Sequence, residues 1–350
     1  MMYPRLQHYK LNKIGAFCLV VVCFLPLLTV RNESAYLQNL FSQTNSNDVT
    51  LPTENTLTRT ETSTSNQAGL LHTSHIKVFY NVYMNPRNLQ HSNSIVKEQA
   101  SYFNKHHDVF IRTIGHGLQD IEGNSTAMIK NIQQDDEGDE LGTLTLLWQH
   151  CLTTSETDNK VIYIHNKGSL HPNKNNDVFR RFLTRGALSD ECANMPETCN
   201  VCSSRFTPYP HPHTSGNMWA AKCDYIRKLG NPKEFAGKMA GLETPAVMSY
   251  CVGKGRFASE HWVHSHPSVK PCDLSTDEKY LWDYGNIPTG DWEINLQSAP
   301  RYSMDTFKFK RGCSDYGTVM KNRLIEYELL YNETVSEDWW GWKVWSRDEK

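Results

Sequence analysis

Residues 75–350 are predicted to form an α/β domain built on a mainly parallel sheet, preceded by one transmembrane helix. Apolar runs of strand length alternate with helically spaced apolar residues between Ile76 and Ile164, the pattern of strands joined by crossover helices. One run, Val161-Ile162-Tyr163-Ile164, is continuously apolar, as in a strand buried on both faces. Far upstream, Ile14–Val30 spans seventeen residues without a charge. With 39% hydrophobic and 21% charged residues in 350, the chain can bury a large core, which excludes disordered, collagenous and multi-span classes. The net charge of −2 and the lack of a basic stripe exclude a nucleic-acid partner.

The elements follow in order. Arg5, Lys10 and Lys13 precede the apolar run, so residues 1–13 read as a cytosolic tail and residues 14–30 as an uncleaved signal anchor. A cleaved signal peptide is the competing reading, but Leu27-Leu28-Thr29-Val30 offers no small-residue cleavage site. Residues 31–74 are rich in Ser and Thr and read as a disordered stem. The domain opens with a strand at Ile76–Tyr83, and a helix carries Ile95, Gln99, Tyr102 and Phe103 on one face. Val109–Ile114 is a second strand closed by Gly115, and the acidic run Asp135–Glu140 reads as a solvated loop. Leu144, Leu147, Trp148 and Cys151 mark a second helix before the Val161–Ile164 strand.

Three motifs carry chemistry. Tyr163-Ile164-His165-Asn166-Lys167-Gly168-Ser169 ends a buried strand, where open α/β sheets bind ligands; Lys167 offers a point charge and Gly168 close backbone approach. The plain alternative is an ordinary polar loop. Ser215-Gly216-Asn217 opens a predicted helix with Met218, Ala221, Tyr225 and Leu229 on its buried stripe. In Arg256–Pro267, Glu260 stands beside His261, His264 and His266, a set suited to acid/base work. The weaker alternatives are a metal site on His261, His264 and His266, with His264 and His266 on one strand face, or a structural strand end.

Beyond Cys18 and Cys23 in the membrane run, the cysteines are Cys151, Cys192, Cys199, Cys202, Cys223, Cys251, Cys272 and Cys313. An even set suits disulfides in an oxidising compartment. Cys192, Cys199 and Cys202, with His211 and His213, also resemble a zinc knuckle, but the expected compartment favours disulfides. Asn124 and Asn332 lie in glycosylation sequons, and Asn32 stands too near the membrane. The Trp339–Trp345 run stacks on sugars or packs on the domain, and its sequence does not separate these.

The ordered blocks IKVFYNVY, YIHNKGS, SGNMWAAKCDYIRKL and ASEHW, over residues 75 to 270, resemble GT-A-type glycosyltransferases, especially bacterial rhamnan-synthesis and lipopolysaccharide-type transferase-like proteins. The resemblance implies a nucleotide-sugar-binding, Rossmann-like lumenal domain at residues 75–350, in a single-pass type II protein of the Golgi or ER membrane. It implies a nucleotide-sugar donor, held by His165, Asn166, Lys167, Gly168, Ser215, Gly216 and Asn217, and a glycan or glycoprotein acceptor. Glu260 would act as base in an inverting transfer, with Trp219 and Trp262 as sugar-stacking walls. His165-Asn166-Lys167 departs from the family's D-x-D: with no carboxylate there, Mn²⁺ lacks its usual ligands, and Lys167 would take the diphosphate charge. The rivals are an inactive lumenal domain that binds glycans or acts as a scaffold, and a zinc hydrolase using the three histidines, which lacks H-E-x-x-H.

Overall fold

Four β-rich segments pair side by side in this computed structural model: β1 (Ile76–Tyr83), β2 (His107–Ile114), β3 (Met128–Asp135) and β4 (Lys160–His165). All run parallel, in the order β3-β2-β1-β4. Past β4 the sheet continues through β8 (Trp219–Lys222), β5 (Val201–Ser203), β9 (Pro271–Asp273) and β10 (Gln297–Ser298). Only β8 and β10 run against the rest, so the fold is mixed α/β on a mainly parallel sheet. A separate ribbon pairs β6 (Phe206–Thr207) with β7 (His213–Thr214). The structure describes residues 76–121, 126–154, 159–207, 213–241, 253, 255–266, 268–274 and 297–298.

Alternation along β1 explains the layers. Val78, Tyr80 and Val82 point to one face, where they join Val96 and Ala100 of α1 (Leu89–Ala100) and Phe179, Phe182 and Leu183 of α3 (Lys174–Ala187) in one core. The Tyr80 hydroxyl donates to Gln99 Oε1 at 2.7 Å, and Gln99 Nε2 donates to Thr184 Oγ1 at 2.8 Å, tying α1 to α3 beneath the sheet. Phe79 points to the other face, 5.6 Å from the His150 ring on α2 (Glu140–Thr153). Asn88, Asp139 and Asn173 cap α1, α2 and α3, each accepting a backbone N–H of the first turn. The remaining helices are short: α4 (Asp190–Ala193), α5 (Cys223–Ile226), α6 (Pro232–Gly241) and α7 (Phe257–Trp262).

Cys151 bridges Cys223, Cys192 bridges Cys202, and Cys199 bridges Cys272. The triplet read as a possible zinc knuckle is therefore disulfide-bonded throughout, and the bridges fit an oxidising compartment. Three expectations change. The segment after Ser215 is a turn, strand β8 and the short helix α5, and not one helix. Ala220 and Ala221 are paired on both sides, with β4 and β5, and a buried stripe at helical spacing is equally a strand buried on both faces. The Glu260 motif forms helix α7 and the turn after it, so His264 and His266 do not share a strand face. Helix α1 stops at Ala100, leaving Tyr102 and Phe103 in the turn beyond.

The anchor (14–30), the stem (31–74), Asn124, Asn332, Cys251, Cys313, His211 and the Trp339–Trp345 run lie outside the described residues. Among those described, no helix is long and apolar enough to cross a membrane.

Burial pushes the His107 and His150 imidazoles from an ordinary 6.5 down to about 4. Each stays neutral in the fold while the unfolded chain takes up a proton, so stability is lost as pH falls from 6.5 toward 4, by at most on the order of 3 kcal/mol per ring. The melting-temperature difference between wild type and His150→Gln is therefore expected to shrink as pH is lowered from 7 to 4.5. Parallel curves for the two proteins would show that His150 does not resist protonation.

Candidate functional site

The strand order reverses between β1 and β4, since α1 and β2 lead to one side of β1 and β4 lies on the other. In doubly wound sheets, ligands bind outside the carboxyl ends of the strands at that point. Here those ends are Tyr83 and His165. Asn166 bridges them like an extra strand residue: its Oδ1 accepts the Tyr83 N–H at 2.8 Å and its Nδ2 donates to the Tyr83 carbonyl at 2.9 Å. The Asn166 side chain is thus engaged within the fold, between His165 and Lys167.

Gly216 draws the other two motifs to this edge. Its carbonyl accepts from His165 Nε2 at 2.9 Å, and its backbone N–H lies near enough to the Glu260 carboxylate on α7 to favour that carboxylate's charged form. Its φ is +81°, and a Cβ there would lie 2.5 Å from Leu183 Cδ1 and 2.8 Å from Phe179 Cε1, so only glycine fits. Gly168 also has positive φ (+97°), and its loop is held by Arg180, which donates to the Lys167 carbonyl at 3.0 Å and pairs with Glu98 and Asp177. Lys167 Nζ stands 5.3 Å from the centre of the Phe179 ring. Ser215 is half-buried, its N–H on the Arg205 carbonyl.

One acidic residue at this edge went unread in the sequence. Glu140 opens α2 beside the capping Asp139, in the run taken for a solvated loop. Its Oε2 accepts from Asn217 Nδ2 at 2.6 Å and from the Tyr163 hydroxyl at 3.1 Å, and its Oε1 is 3.7 Å from His165 Nδ1. The available signal was an Asp-Glu pair starting a helix, where carboxylates are favoured by the helix dipole. Beneath it, buried Arg112 donates to Asp135 Oδ2, Asn81 Oδ1 and the Asp139 carbonyl, while Thr143 also donates to Asn81 Oδ1. The guanidinium lies against Gly138 and Gly142, so it fixes the loop that delivers Glu140.

Burial, then repulsion from Glu140, raises Glu260 from an ordinary 4.5 to about 7, against the pull of Lys167, Arg256 and the Gly216 N–H. Burial lowers His165 below its ordinary 6.5. A carboxyl poised near 7 beside a cation and a second carboxylate can exchange protons with a ligand near neutral pH.

The remaining expected residues lie elsewhere in role. Asn217, with φ +50°, is buried, its amide shared between Glu140 and the Trp219 indole N–H. Trp219 and Trp262 are fully buried and pack 6.3 Å apart, so neither presents a face for a sugar to stack on; they wall the site from behind. His264 is fully buried, with Nε2 bonded to Thr214 Oγ1, His266 bonds Ser268, and His261 packs on Phe235. Among the described residues no group of three or more His, Cys, Asp or Glu is placed to hold a metal ion.

One family model, described as "Domain of unknown function (DUF8361)", matches residues 79–344. No curated protein and no solved structure matches the chain significantly.

Because Glu140 pushes the Glu260 pKa up and Lys167 pulls it down, their removal has opposite effects. Glu140→Gln is expected to move the Glu260 titration below pH 7, and Lys167→Ala to move it above. Carboxyl-carbon NMR of ¹³C-glutamate-labelled protein reads both; shifts in the same direction would show that the two side chains do not act on Glu260 through their charges.

Proposed function

The chain belongs to the DUF8361 family, whose function is undefined, and we propose that it is a glycosyltransferase of GT-A-like type. In this reading it moves a sugar from a nucleotide-sugar donor to a glycan or protein acceptor in the secretory pathway. The observation that carries it is the convergence on Gly216: the YIHNKGS loop, the SGN turn and the Glu260 helix meet at the carboxyl edge where β1 and β4 part. The order β3-β2-β1-β4 matches the strand order across the switch point of doubly wound nucleotide-binding sheets, which supports the same reading. The disulfides support the oxidising compartment, and the type II Golgi or ER placement rests on the apolar run at residues 14–30.

In the mechanism, Glu260 removes the proton of an acceptor hydroxyl. The freed oxygen attacks the anomeric carbon as the bond to the donor diphosphate breaks, and the diphosphate leaves with the bonding pair. Lys167 balances the charge that grows there, with the Gly168 backbone open to close approach. A base with a pKa near 7 is half-deprotonated at working pH, where acid/base catalysis is most effective.

Donor screening of the full chain against nucleotide sugars is the direct test. Glu260→Gln is expected to cut transfer by about 10²-fold while donor binding survives, and wild-type rate should rise with pH through about 7. Lys167→Ala is expected to weaken donor binding about tenfold to a hundredfold, and chelators are expected to leave transfer intact. Glycan binding without turnover in wild type would instead favour the inactive lumenal domain, and near-normal turnover of Glu260→Gln would remove Glu260 as the base.

A further inference from the structure

We propose that Glu140 and His165 together recognise a vicinal diol of a sugar ring, each accepting one hydroxyl proton. This rests on the carboxyl-edge site argued above and adds the ligand group that the edge selects.

The argument begins with protons. A carbonyl only accepts, so His165 Nε2, 2.9 Å from the Gly216 oxygen, carries the hydrogen. Burial keeps the ring neutral, which leaves Nδ1 as a bare acceptor. Glu140 Oε2 is already engaged by Asn217 and Tyr163, and Oε1 is the oxygen turned toward Nδ1. At 3.7 Å these two acceptors are too far apart to share a hydrogen bond, and neither has a proton to give the other. The Glu140 and His165 side chains keep 29% and 15% of their surface exposed, so neither is sealed inside the core.

Two acceptors side by side are matched by two donors side by side. A lone hydroxyl has one proton and satisfies one of them. An ammonium also has enough protons; the Glu140 charge felt at His165 favours a cation there and the Lys167 charge opposes it, so comparison of deoxy sugars decides between the two. Adjacent ring hydroxyls meet both demands: each donates once, and the pair spans a gap of about one hydrogen-bond length. The site is held ready for them, since Arg112 braces the start of α2 and Gly216 fixes the imidazole tautomer. The ribose of a nucleotide and the pyranose of a donor or acceptor both contain such a diol.

Calorimetry on the full chain with UDP, GDP, UDP-glucose, GDP-mannose and the methyl pyranosides of glucose, galactose and mannose tests this. For each ligand that binds, the monodeoxy analogues are compared: 2′- and 3′-deoxyribose forms, and singly deoxygenated pyranoses. Removing one hydroxyl of the recognised diol is expected to cost wild type about tenfold or more. The same removal should cost little in the variant lacking its partner, Glu140→Gln for one hydroxyl and His165→Gln for the other. Loss on the ribose analogues names the nucleotide as the source; loss on the pyranose analogues names the sugar. The two variants lie on different elements, and their melting temperatures are checked alongside, so misfolding of one leaves the other to decide. Deoxy ligands that bind as well as their parents, or losses undiminished in both variants, overturn the diol assignment while leaving the transferase reading standing. Pyranoside binding through this pair, with no nucleotide bound, keeps the assignment and removes the transferase. A chain that binds none of the panel overturns both.

Discussion

The main-chain groups of Gly216 are the constraint on which the rest of the site depends. Its carbonyl holds one ring and its N–H lies beside one carboxylate, and these belong to segments far apart in sequence. The turn presses so closely on Leu183 and Phe179 that no side chain fits. Helix α3, packed under the sheet through Gln99 and Thr184, is thereby the floor against which the turn is set. Sheet order, helix packing and proton positions are consequently linked through a single residue that has no side chain.

Around that point the electrostatics are a contest that burial decides. The Gly216 N–H and two cations favour the charged form of Glu260, yet the carboxyl still titrates near neutrality. Desolvation and the neighbouring Glu140 outweigh three favourable partners, because charge is costly where water is scarce. Glu140 itself is supported by an amide and a phenol, with Arg112 bracing the turn below it. Neutral donors at the carboxylate and a cation one layer down give a site with fixed geometry and modest net charge.

Much of the architecture was legible because its signals were local. The strands at Ile76–Tyr83 and Val161–Ile164 and the helix through Leu144 and Cys151 follow from apolar spacing alone. Strand β8 was not legible: Trp219, Ala220 and Ala221 are apolar on both faces because β4 and β5 flank them, and that neighbourhood is a tertiary fact. The same limit applies to the site. His165, Lys167, Gly216 and Glu260 could be picked from their motifs, but Asn166 and Asn217 are spent on internal hydrogen bonds that only the folded chain defines. Glu140 was hidden because one acid in an acidic run looks like any other until the helix start turns it inward.

Arg112 has a meaning for how this fold can vary. Its guanidinium occupies the space that side chains at 138 and 142 would need: a Cβ at 138 would stand 2.7 Å from Nη2, and one at 142 would meet the guanidinium carbon still more closely. The three positions are therefore coupled sterically, although β2 and the start of α2 are separated by a whole strand. A side chain at 142 would require the guanidinium to shift, which would disturb its bonds to Asp135, Asn81 and the Asp139 carbonyl. Across the family, co-substitution at 112, 138 and 142 would record where the approach of Glu140 has been retained and where the edge of the sheet has been rebuilt.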